Sequence, residues 1–288
     1  MFYLLLSLFF NLVIFIAFKL FPKYKTDTNS IIVINYFIAA TLSFVYAKDQ
    51  IDMATISGAP WLPIAFSLGF IFYVTFLIIS MTIQKIGLSI GSLFPKMSMI
   101  FSVLFAYFIY NENISLLRWV GICLAVVGII FLLYPSRDRG LALEKSLRKH
   151  WALPLFALVG SGIIEILLFV VEKENGEGMG NAEFLVVLFI TAGIVGTVIS
   201  LIRKTLKLST KEIAFGFTLG IINFYSIYFL MMALSANIDA SIAFPFLNIG
   251  IIVLGLLMGI IAFNEKLSKQ KILGVCLSVI AVVLILIA

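Results

Sequence analysis

The chain has 288 residues, of which 62% are hydrophobic and only 12% are charged, whereas soluble domains are about 45–50% apolar. This composition excludes a soluble globular fold. The formal net charge is +6, but the basic residues lie between hydrophobic segments and form no patch with interleaved aromatic residues, which excludes a nucleic-acid partner.

Hydrophobic segments long enough to cross a bilayer follow one another along the chain. A bilayer core about 30 Å thick needs roughly 20 apolar residues per helix, and a helix satisfies its own backbone hydrogen bonds in lipid. We therefore predict ten transmembrane helices, at 2–21, 30–47, 60–83, 87–110, 116–134, 151–172, 182–202, 211–234, 239–263 and 268–288.

The longest polar connector is strongly basic and divides the ten predicted spans into two sets of five. We assign it to residues 136–150, with a first five-helix repeat at 1–135 and a second at 151–288. Its basic residues are Arg137, Arg139, Lys145, Arg148 and Lys149.

The two halves share a short polar signature. Segment 111–123 recurs at 264–276 with Asn-Glu, a Ser three residues after the Glu, and then Gly and Cys, all at a constant offset of 153. Because each half has an odd number of spans, homologous halves must enter the membrane in opposite directions. The predicted fold class is all-α, a polytopic membrane protein with ten transmembrane helices arranged as two inverted five-helix repeats.

This duplicated signature resembles the EamA-like units of the drug/metabolite transporter superfamily, and the resemblance covers nearly the whole chain. It implies an alternating-access transporter in which helices 3, 4, 8 and 9, with parts of 1, 2, 6 and 7, surround a central cavity. Helices 5 and 10 would lie at the periphery. Members of the superfamily carry amino acids, other metabolites, sugars or drugs.

The distribution of basic residues predicts the orientation. Sixteen of the 20 Lys and Arg residues fall on one side of the predicted membrane and three on the other, while Lys96 lies within a span. The positive-inside rule places the basic side in the cytoplasm and both termini on the opposite side. Many relatives are described with both termini inside, so either this branch is inverted or the predicted span count is wrong by one at each end. The expected location is the bacterial inner (plasma) membrane.

Two charged residues lie well inside predicted spans, away from the span ends, where a charge costs several kcal/mol unless it faces a cavity or a partner. Lys96 is a candidate anchor for a substrate carboxylate, and snorkelling or a structural ion pair is its alternative. Glu165 either pairs with Lys96, acts as a protonatable coupling group, or is a wet glutamate without a transport role. Pro95 and its repeat mate Pro245 are expected to interrupt helices 4 and 9, which points to a midplane site, a simple kink being the alternative.

Amides and phenols inside the spans complete the predicted substrate-binding set. For any one of these groups the alternative role is a hydrogen bond between two helices, which contributes about 0.6 kcal/mol. A pocket of aromatic rings, amides and one lysine suits a small solute with a carboxylate and an apolar body, such as an amino acid. The predicted set is Lys96, Glu165, Asn11, Asn35, Tyr36, Tyr73, Asn223, Tyr225 and Asn248.

The signature itself is expected to form turns. Glu112 and Glu265 precede two serines, Ser115 and Ser268, that are placed to cap the N-termini of the fifth and tenth helices. The two cysteines of the chain have no metal-ligand spacing, and we expect buried structural thiols and no metal or other cofactor.

We expect a secondary transporter and exporter, not an enzyme. The absence of a Walker-type loop indicates that ATP is not the direct driver. Expected partners are a small-molecule substrate, the lipid bilayer and a coupling proton, and the expected state is a monomer or weak homodimer. One alternative is an intramembrane enzyme acting on a lipid or isoprenoid carrier, which usually needs clustered His, Asp or Cys. A channel is the other alternative, but no selectivity filter is evident.

Overall fold

The computed structural model describes residues 1–47, 56–111, 115–133, 142–175, 182–235 and 240–287, and within these ranges it contains helices and no strand. The first half and its connector contain α1 (Phe2–Leu20), a 3-10 turn (Phe21–Tyr24), α2 (Thr28–Ala47), α3 (Leu62–Lys85), α4 (Leu88–Lys96), α5 (Met99–Tyr110), α6 (Leu116–Leu133) and α7 (Ala142–His150). The second half contains α8 (Ala152–Asn175), α9 (Ala182–Ile202), α10 (Thr210–Ser235), α11 (Ala240–Phe263) and α12 (Lys269–Ile287).

The helices of the described residues, in both halves of the chain, are those of an integral membrane protein. Six of them, in α1, α2, α3, α9, α10 and α11, are long and apolar enough to cross a membrane, and a seventh span results if α7 and α8 are counted as one bent span. Two shorter apolar stretches cover Leu88–Phe101, which runs from α4 into the start of α5, and Leu116–Leu132 in α6. The helix ends lie within a few residues of the predicted spans, and the total of ten crossings stays a prediction.

The chain forms two compact units that do not follow its two halves. Unit 1 comprises Met1–Leu77 and Ile163–Ala236, and unit 2 comprises Ile78–Gly162 and Asn237–Ala288. Each unit therefore combines segments from both halves, and the helices α3 and α8 each contribute to both units.

In unit 1, α2 and α9 pack side by side in opposite directions. A β-carbon at Gly193 would lie 3.1 Å from the ring of Phe37. At the other end of the same contact, the Asn29 amide donates a hydrogen bond to the Ser200 hydroxyl at 2.7 Å. Gly193 faces Phe37, and Ser200, later in α9, faces Asn29, earlier in α2. The two helices are therefore antiparallel.

In unit 2, α4 and α11 are antiparallel by the same criterion. A β-carbon at Gly255 would overlap Ser92 Oγ, and one at Gly259 would overlap Ser89 Oγ. A side chain at either glycine would have to displace the facing serine or push the two helices apart, so this small-residue pair serves close helix packing.

The contact between α6 and α12 in unit 2 is also antiparallel. A β-carbon at Gly128 would lie 2.6 Å from Ser278 Oγ, and one at Gly274 would lie 2.9 Å from Leu132 Cγ. This contact brings together the two helices that follow the repeated Asn-Glu signature.

The basic connector contains a helix that the sequence analysis did not predict. This helix, α7, is bent by 65° from α8. Leu147 is buried in a hydrophobic cluster, whereas Lys145, Arg148 and Lys149 are exposed. The helix is therefore amphipathic, with its apolar side against unit 2.

The expectation of buried thiols is wrong. Cys123 and Cys276 are both exposed. A span does not need to bury its apolar side chains in protein, because lipid supplies the same apolar surroundings, so an apolar run does not identify the face that a neighbouring helix covers.

The predicted orientation is testable by cysteine labelling in a chain with Cys123 and Cys276 replaced by alanine. A cysteine at the exposed position Lys149 of α7 is expected to resist a membrane-impermeant maleimide in intact cells and to react after permeabilisation. A cysteine at Leu116, which is 82% exposed at the opposite end of α6, is the control and is expected to react in intact cells. Ready labelling at position 149 with protection at position 116 would invert the orientation.

Candidate functional site

The predicted fourth span is interrupted next to Lys96. Helix α4 ends at Lys96, Met97 and Ser98 form a turn, and α5 begins at Met99. Pro95 lacks the N–H that would continue the helical ladder, and the Ser98 hydroxyl donates to the Pro95 carbonyl at 2.5 Å. Lys96 is half-buried. Its charge lies at the C-terminus of α4, where the helix dipole favours a cation.

The matching interruption predicted at Pro245 is wrong. Helix α11 runs without a break from Ala240 to Phe263. The carbonyl that loses its partner to Pro245 belongs to the residue four positions earlier, within the first turn of α11. A proline so close to the helix start disturbs less of the ladder than Pro95 does.

The start of α4 is held by the carboxylate of Glu265. The backbone N–H groups of Leu88 and Ser89 donate to its two oxygens at 2.6 and 2.9 Å. These are first-turn donors that have no partner within their own helix, and the positive end of the helix dipole favours an anion there. Gly87 precedes them at a φ of 145°, which a side chain rarely adopts.

This role of Glu265 is absent from the predicted site. From the sequence both signature glutamates are expected in turns, and the only signal for a further role is the duplication of Asn-Glu. Asn264 directly follows α11 with a left-handed φ of 50°, and the Glu265 carboxylate after it reaches α4 of the first half. Glu112 lies outside the described residues.

Substitution of Glu265 is expected to destabilise unit 2. Glu265→Ala leaves the two α4 donors unpaired, at a cost of about 1.5–3 kcal/mol for hydrogen bonds to a charged group. Glu265→Gln keeps one hydrogen-bond acceptor, so its loss of stability is expected to be about half that of Glu265→Ala. Melting temperature in detergent is the measurement, and Lys266→Gln, at the exposed neighbouring residue, is the control. Equal melting temperatures of Glu265→Ala and the wild type would show that Glu265 does not stabilise the start of α4.

The two serines of the signature cap helices as predicted. Ser115 Oγ accepts a hydrogen bond from the Arg118 N–H at 3.2 Å at the start of α6. Ser268 Oγ accepts one from the Lys271 N–H at 3.4 Å at the start of α12. Both bonds link a cap residue to the third residue after it, which is the geometry of an N-cap.

Within unit 2, a buried ion pair joins the connector helix α7 to α12. Lys271 Nζ lies 3.7 Å from a carboxylate oxygen of Glu144, and the two side chains are 0% and 1% exposed. Lys271 also donates to the Leu132 carbonyl at 2.5 Å, one of the last-turn carbonyls of α6 that lack a helical partner. The Ser268 hydroxyl donates to Glu144 at 3.3 Å.

This pair was not predicted, because Lys271 counts among the basic residues of the predicted cytoplasmic side. Spacing along the chain does not show that Glu144, in a basic connector, meets a lysine more than 100 residues later. The pair belongs to the support of unit 2 and lies outside the predicted substrate-binding set.

Two predicted site residues lie on α2 in the interior of unit 1. Asn35 and Tyr36 are both 0% exposed. The Tyr36 hydroxyl donates to the Phe72 carbonyl of α3 at 3.1 Å. The Asn35 amide nitrogen makes only a long 3.4 Å contact to the Ile32 carbonyl of its own helix, and the Asn35 oxygen Oδ1 is buried without a hydrogen-bond partner.

Tyr73 joins Tyr36 at the contact between α2 and α3. Its hydroxyl donates to the side-chain oxygen of Asn29, whose amide in turn donates to Ser200 of α9. Its ring packs against Gly196, where a β-carbon would lie 2.6 Å away. Tyr36 and Tyr73 are therefore engaged in helix packing, although each has the donor and acceptor chemistry of a binding residue.

Asn11 and Asn223 belong to the contact between α1 and α10. The Asn11 amide donates to the Ser7 carbonyl of its own helix at 3.0 Å, so it does not bridge helices. The bridge is made instead by Ser7, whose hydroxyl donates to the Ser226 carbonyl of α10 at 2.7 Å. Asn223 is 6% exposed, and its carbonyl accepts the Ser226 hydroxyl at 2.7 Å.

Tyr225 lies in an aromatic cluster of unit 1. Its ring stacks on Phe10 of α1 and on Phe229 of α10, with centroids 5.8 and 5.7 Å apart. The rings of Phe224 and Tyr228 approach it at 5.3 and 6.2 Å. The cluster combines the apolar ring faces of Phe10, Phe224 and Phe229 with the phenol rings of Tyr225 and Tyr228.

The remaining predicted residues are Glu165 and Asn248. Glu165 lies on α8 in unit 1 and is half-buried. Asn248 lies on α11 in unit 2, is 6% exposed, and its amide nitrogen lies 3.8 Å from the Met99 sulfur of α5. Lys96 belongs to unit 2 and Glu165 to unit 1, and their pairing stays a prediction.

An all-helical membrane protein with a lysine at a proline-interrupted helix and buried amides in its spans has the features of an integral membrane transporter. The family model described as the EamA-like transporter family matches the chain twice, over residues 1–134 and 152–287. The chain therefore belongs to the EamA-like transporter family, within the drug/metabolite transporter superfamily.

Two similar proteins cover almost the whole chain. A protein of Haemophilus influenzae (strain ATCC 51907 / DSM 11121 / KW20 / Rd), described as uncharacterized, is 26% identical over 287 residues, which is 97% of this chain and 95% of that protein. A protein of known crystal structure matches with a TM-score of 0.57 and 11% identity, covering 98% of this chain and 97% of the other. The second likeness concerns the fold alone.

Proposed function

We propose that this family member is a secondary transporter that works by alternating access and exports an amino acid or a similar carboxylate-bearing metabolite. Membership of a transporter family supports membrane transport. The mechanism requires two repeats in opposite orientations, which give two near-equivalent packings of one structure.

The observation that carries the mechanism is the antiparallel packing of equivalent helices. Helices α2 and α9 contain the second predicted span of each half, α4 and α11 belong to the fourth, and α6 and α12 contain the fifth. Each of these three pairs is antiparallel, as the contacts described above show within one unit at a time. Equivalent helices of an inverted repeat must run in opposite directions, so the three pairs support the predicted architecture.

Lys96 supports a substrate with a negative charge. It lies at the interruption of α4 and α5, and broken spans are where transporters place substrate sites. A lysine held in a low-dielectric span attracts an anionic group, and its compact ammonium suits one carboxylate oxygen. In this proposal, Lys96 anchors the carboxylate of the transported solute.

The amides and phenols of the spans support a small polar solute. Asn35 Oδ1 is a buried acceptor without a partner, and such atoms in native structures call for a ligand, a water or an ion. We assign it to a donor group on the solute. Asn11, Tyr36, Tyr73, Asn223, Tyr225 and Asn248 stay candidates for substrate contact, and Glu165 stays the candidate proton-coupling group.

The substrate class is testable with the purified protein. A ligand that binds the folded state stabilises it by about 2.7 kcal/mol at a hundred times its dissociation constant. Amino acids and related carboxylates are therefore expected to raise the melting temperature, whereas the corresponding amines without a carboxylate, sugars and nucleosides are not. Stabilisation by the amines or by uncharged solutes alone would reject a carboxylate-bearing substrate.

A further inference from the structure

Unit 1 has an apolar groove on its surface between α1 and α10, with a volume of about 230 Å³. Its walls include Val13, Ile16 and Leu20 on one side and Phe215, Thr218 and Ile222 on the other. Thr218 donates its hydroxyl to the Ala214 carbonyl of its own helix at 2.9 Å. The threonine thus presents its methyl group as an apolar wall, and the groove suits a hydrocarbon chain.

One end of the groove is closed by aromatic rings. Phe21 and Tyr24, in the turn after α1, lie 5.7 and 5.2 Å from the ring of Phe215, centroid to centroid. Tyr24 is 52% exposed. Tyrosine rings with a polar tip favour the level of the lipid headgroups, which places this end of the groove at the membrane surface.

Basic residues lie at the same end. Lys211 is exposed and lies one helical turn before Phe215 on the same side of α10, because residues four apart share a helix face. Lys25 is exposed and directly follows Tyr24. Both lie on the side that the positive-inside rule assigns to the cytoplasm, whose leaflet carries the anionic lipids.

The acidic residues nearby are engaged with other groups. Glu212 accepts the Asp27 N–H at 3.0 Å and the Ser209 hydroxyl. The Asp27 carboxylate accepts the N–H and the hydroxyl of Ser30 at 2.8 and 2.7 Å. These bonds fix both carboxylates at the helix termini of unit 1, and among the described residues neither carboxylate forms an ion pair with Lys25 or Lys211.

We propose that the groove binds an anionic phospholipid from the cytoplasmic leaflet, with one acyl chain between α1 and α10 and the phosphate at Lys25 and Lys211. The apolar walls recognise the chain, and the two lysines select an anionic headgroup over a zwitterionic one. This site is independent of the proposed substrate site, since none of the residues that form it belongs to the predicted substrate-binding set.

Native mass spectrometry of the protein in detergent tests the charge selection, with dioleoyl phosphatidylglycerol and dioleoyl phosphatidylcholine as probes. One molecule of phosphatidylglycerol is expected to bind more tightly than phosphatidylcholine. The Lys25→Gln/Lys211→Gln variant is expected to weaken phosphatidylglycerol binding by about five-fold per lysine. The control is Lys266→Gln/Lys269→Gln, which removes the same charge from exposed residues of unit 2. Equal binding of the two lipids, or an equal loss in the control, would overturn the proposal.

A second pair of variants tests the acyl-chain part of the site without changing charge. Thr218→Trp fills the groove and is expected to abolish tight phosphatidylglycerol binding. Thr41→Trp is the matched control, because Thr41 is also exposed and also donates to the carbonyl four residues earlier, at 2.8 Å. Wild-type melting temperatures show that both variants fold. Unchanged phosphatidylglycerol binding by Thr218→Trp would show that the groove does not hold the acyl chain and would overturn the proposal. Displacement of phosphatidylglycerol by glycerol phosphate at equal concentration would show a free-phosphate site and would overturn it too.

Discussion

Lys96→Met is expected to abolish transport while leaving folding intact. Methionine keeps the length and apolar stem of lysine and removes only the charge that anchors the substrate carboxylate. Removing one partner of a buried charged contact costs about 2–5 kcal/mol, which corresponds to roughly thirty-fold or greater loss of substrate affinity. The measurement is uptake of an identified substrate into proteoliposomes, together with the melting temperature of the variant with and without that substrate.

Two further variants separate the roles of the intramembrane charges. Lys96→Arg keeps a cation and is expected to retain part of the transport activity. If Glu165 couples transport to protons, Glu165→Gln should still bind substrate but lose the pH dependence of transport. If it only neutralises Lys96, Glu165→Gln should be unstable in detergent and Lys96→Met should rescue it. Unchanged transport kinetics in Lys96→Met would return Lys96 to a snorkelling or structural role.

Lys271→Met is expected to have the largest effect on stability. The change leaves the Glu144 carboxylate buried without its cation, which costs about 3–5 kcal/mol. It also removes the donor to the Leu132 carbonyl at the end of α6. The expected result is a large fall in melting temperature and loss of the connector helix from unit 2, with greater proteolysis of the connector.

A double-variant cycle isolates this ion pair. Glu144→Leu/Lys271→Met replaces the pair with apolar groups and is expected to recover most of the stability lost by either single change. Lys269→Met is the control, because Lys269 is exposed two residues away and such changes usually stay within about 0.5 kcal/mol. Additive effects of the two single changes would show that the pair contributes no coupling.

The helices were predictable from the sequence because hydrocarbon imposes a length and a composition on each span. The polar signature was equally informative at Ser115 and Ser268, since an N-cap depends on residues three positions apart. Pro95 also interrupts its helix as expected. These features are local, and a local pattern determines them.

The features that sequence reasoning missed depend on contacts between distant segments. Glu265 holds the start of α4 across a separation of more than 170 residues, and Lys271 meets Glu144 across more than 120. The exposure of Cys123 was missed for a related reason, because lipid and protein interiors are equally apolar. Composition therefore located the spans but did not show which face of each span meets another helix.

Solute counterflow tests the central claim that this protein is an alternating-access carrier. Proteoliposomes are loaded with a high concentration of unlabelled solute, taken from those that raise the melting temperature, and diluted into a trace of the labelled solute without ATP. A carrier is expected to accumulate label transiently above equilibrium, because each return of the binding site brings a labelled molecule inward. Lys96→Met vesicles are expected to show no such overshoot. A flux of label in wild-type vesicles that rises only to equilibrium and does not saturate with solute concentration would indicate a channel and contradict the account.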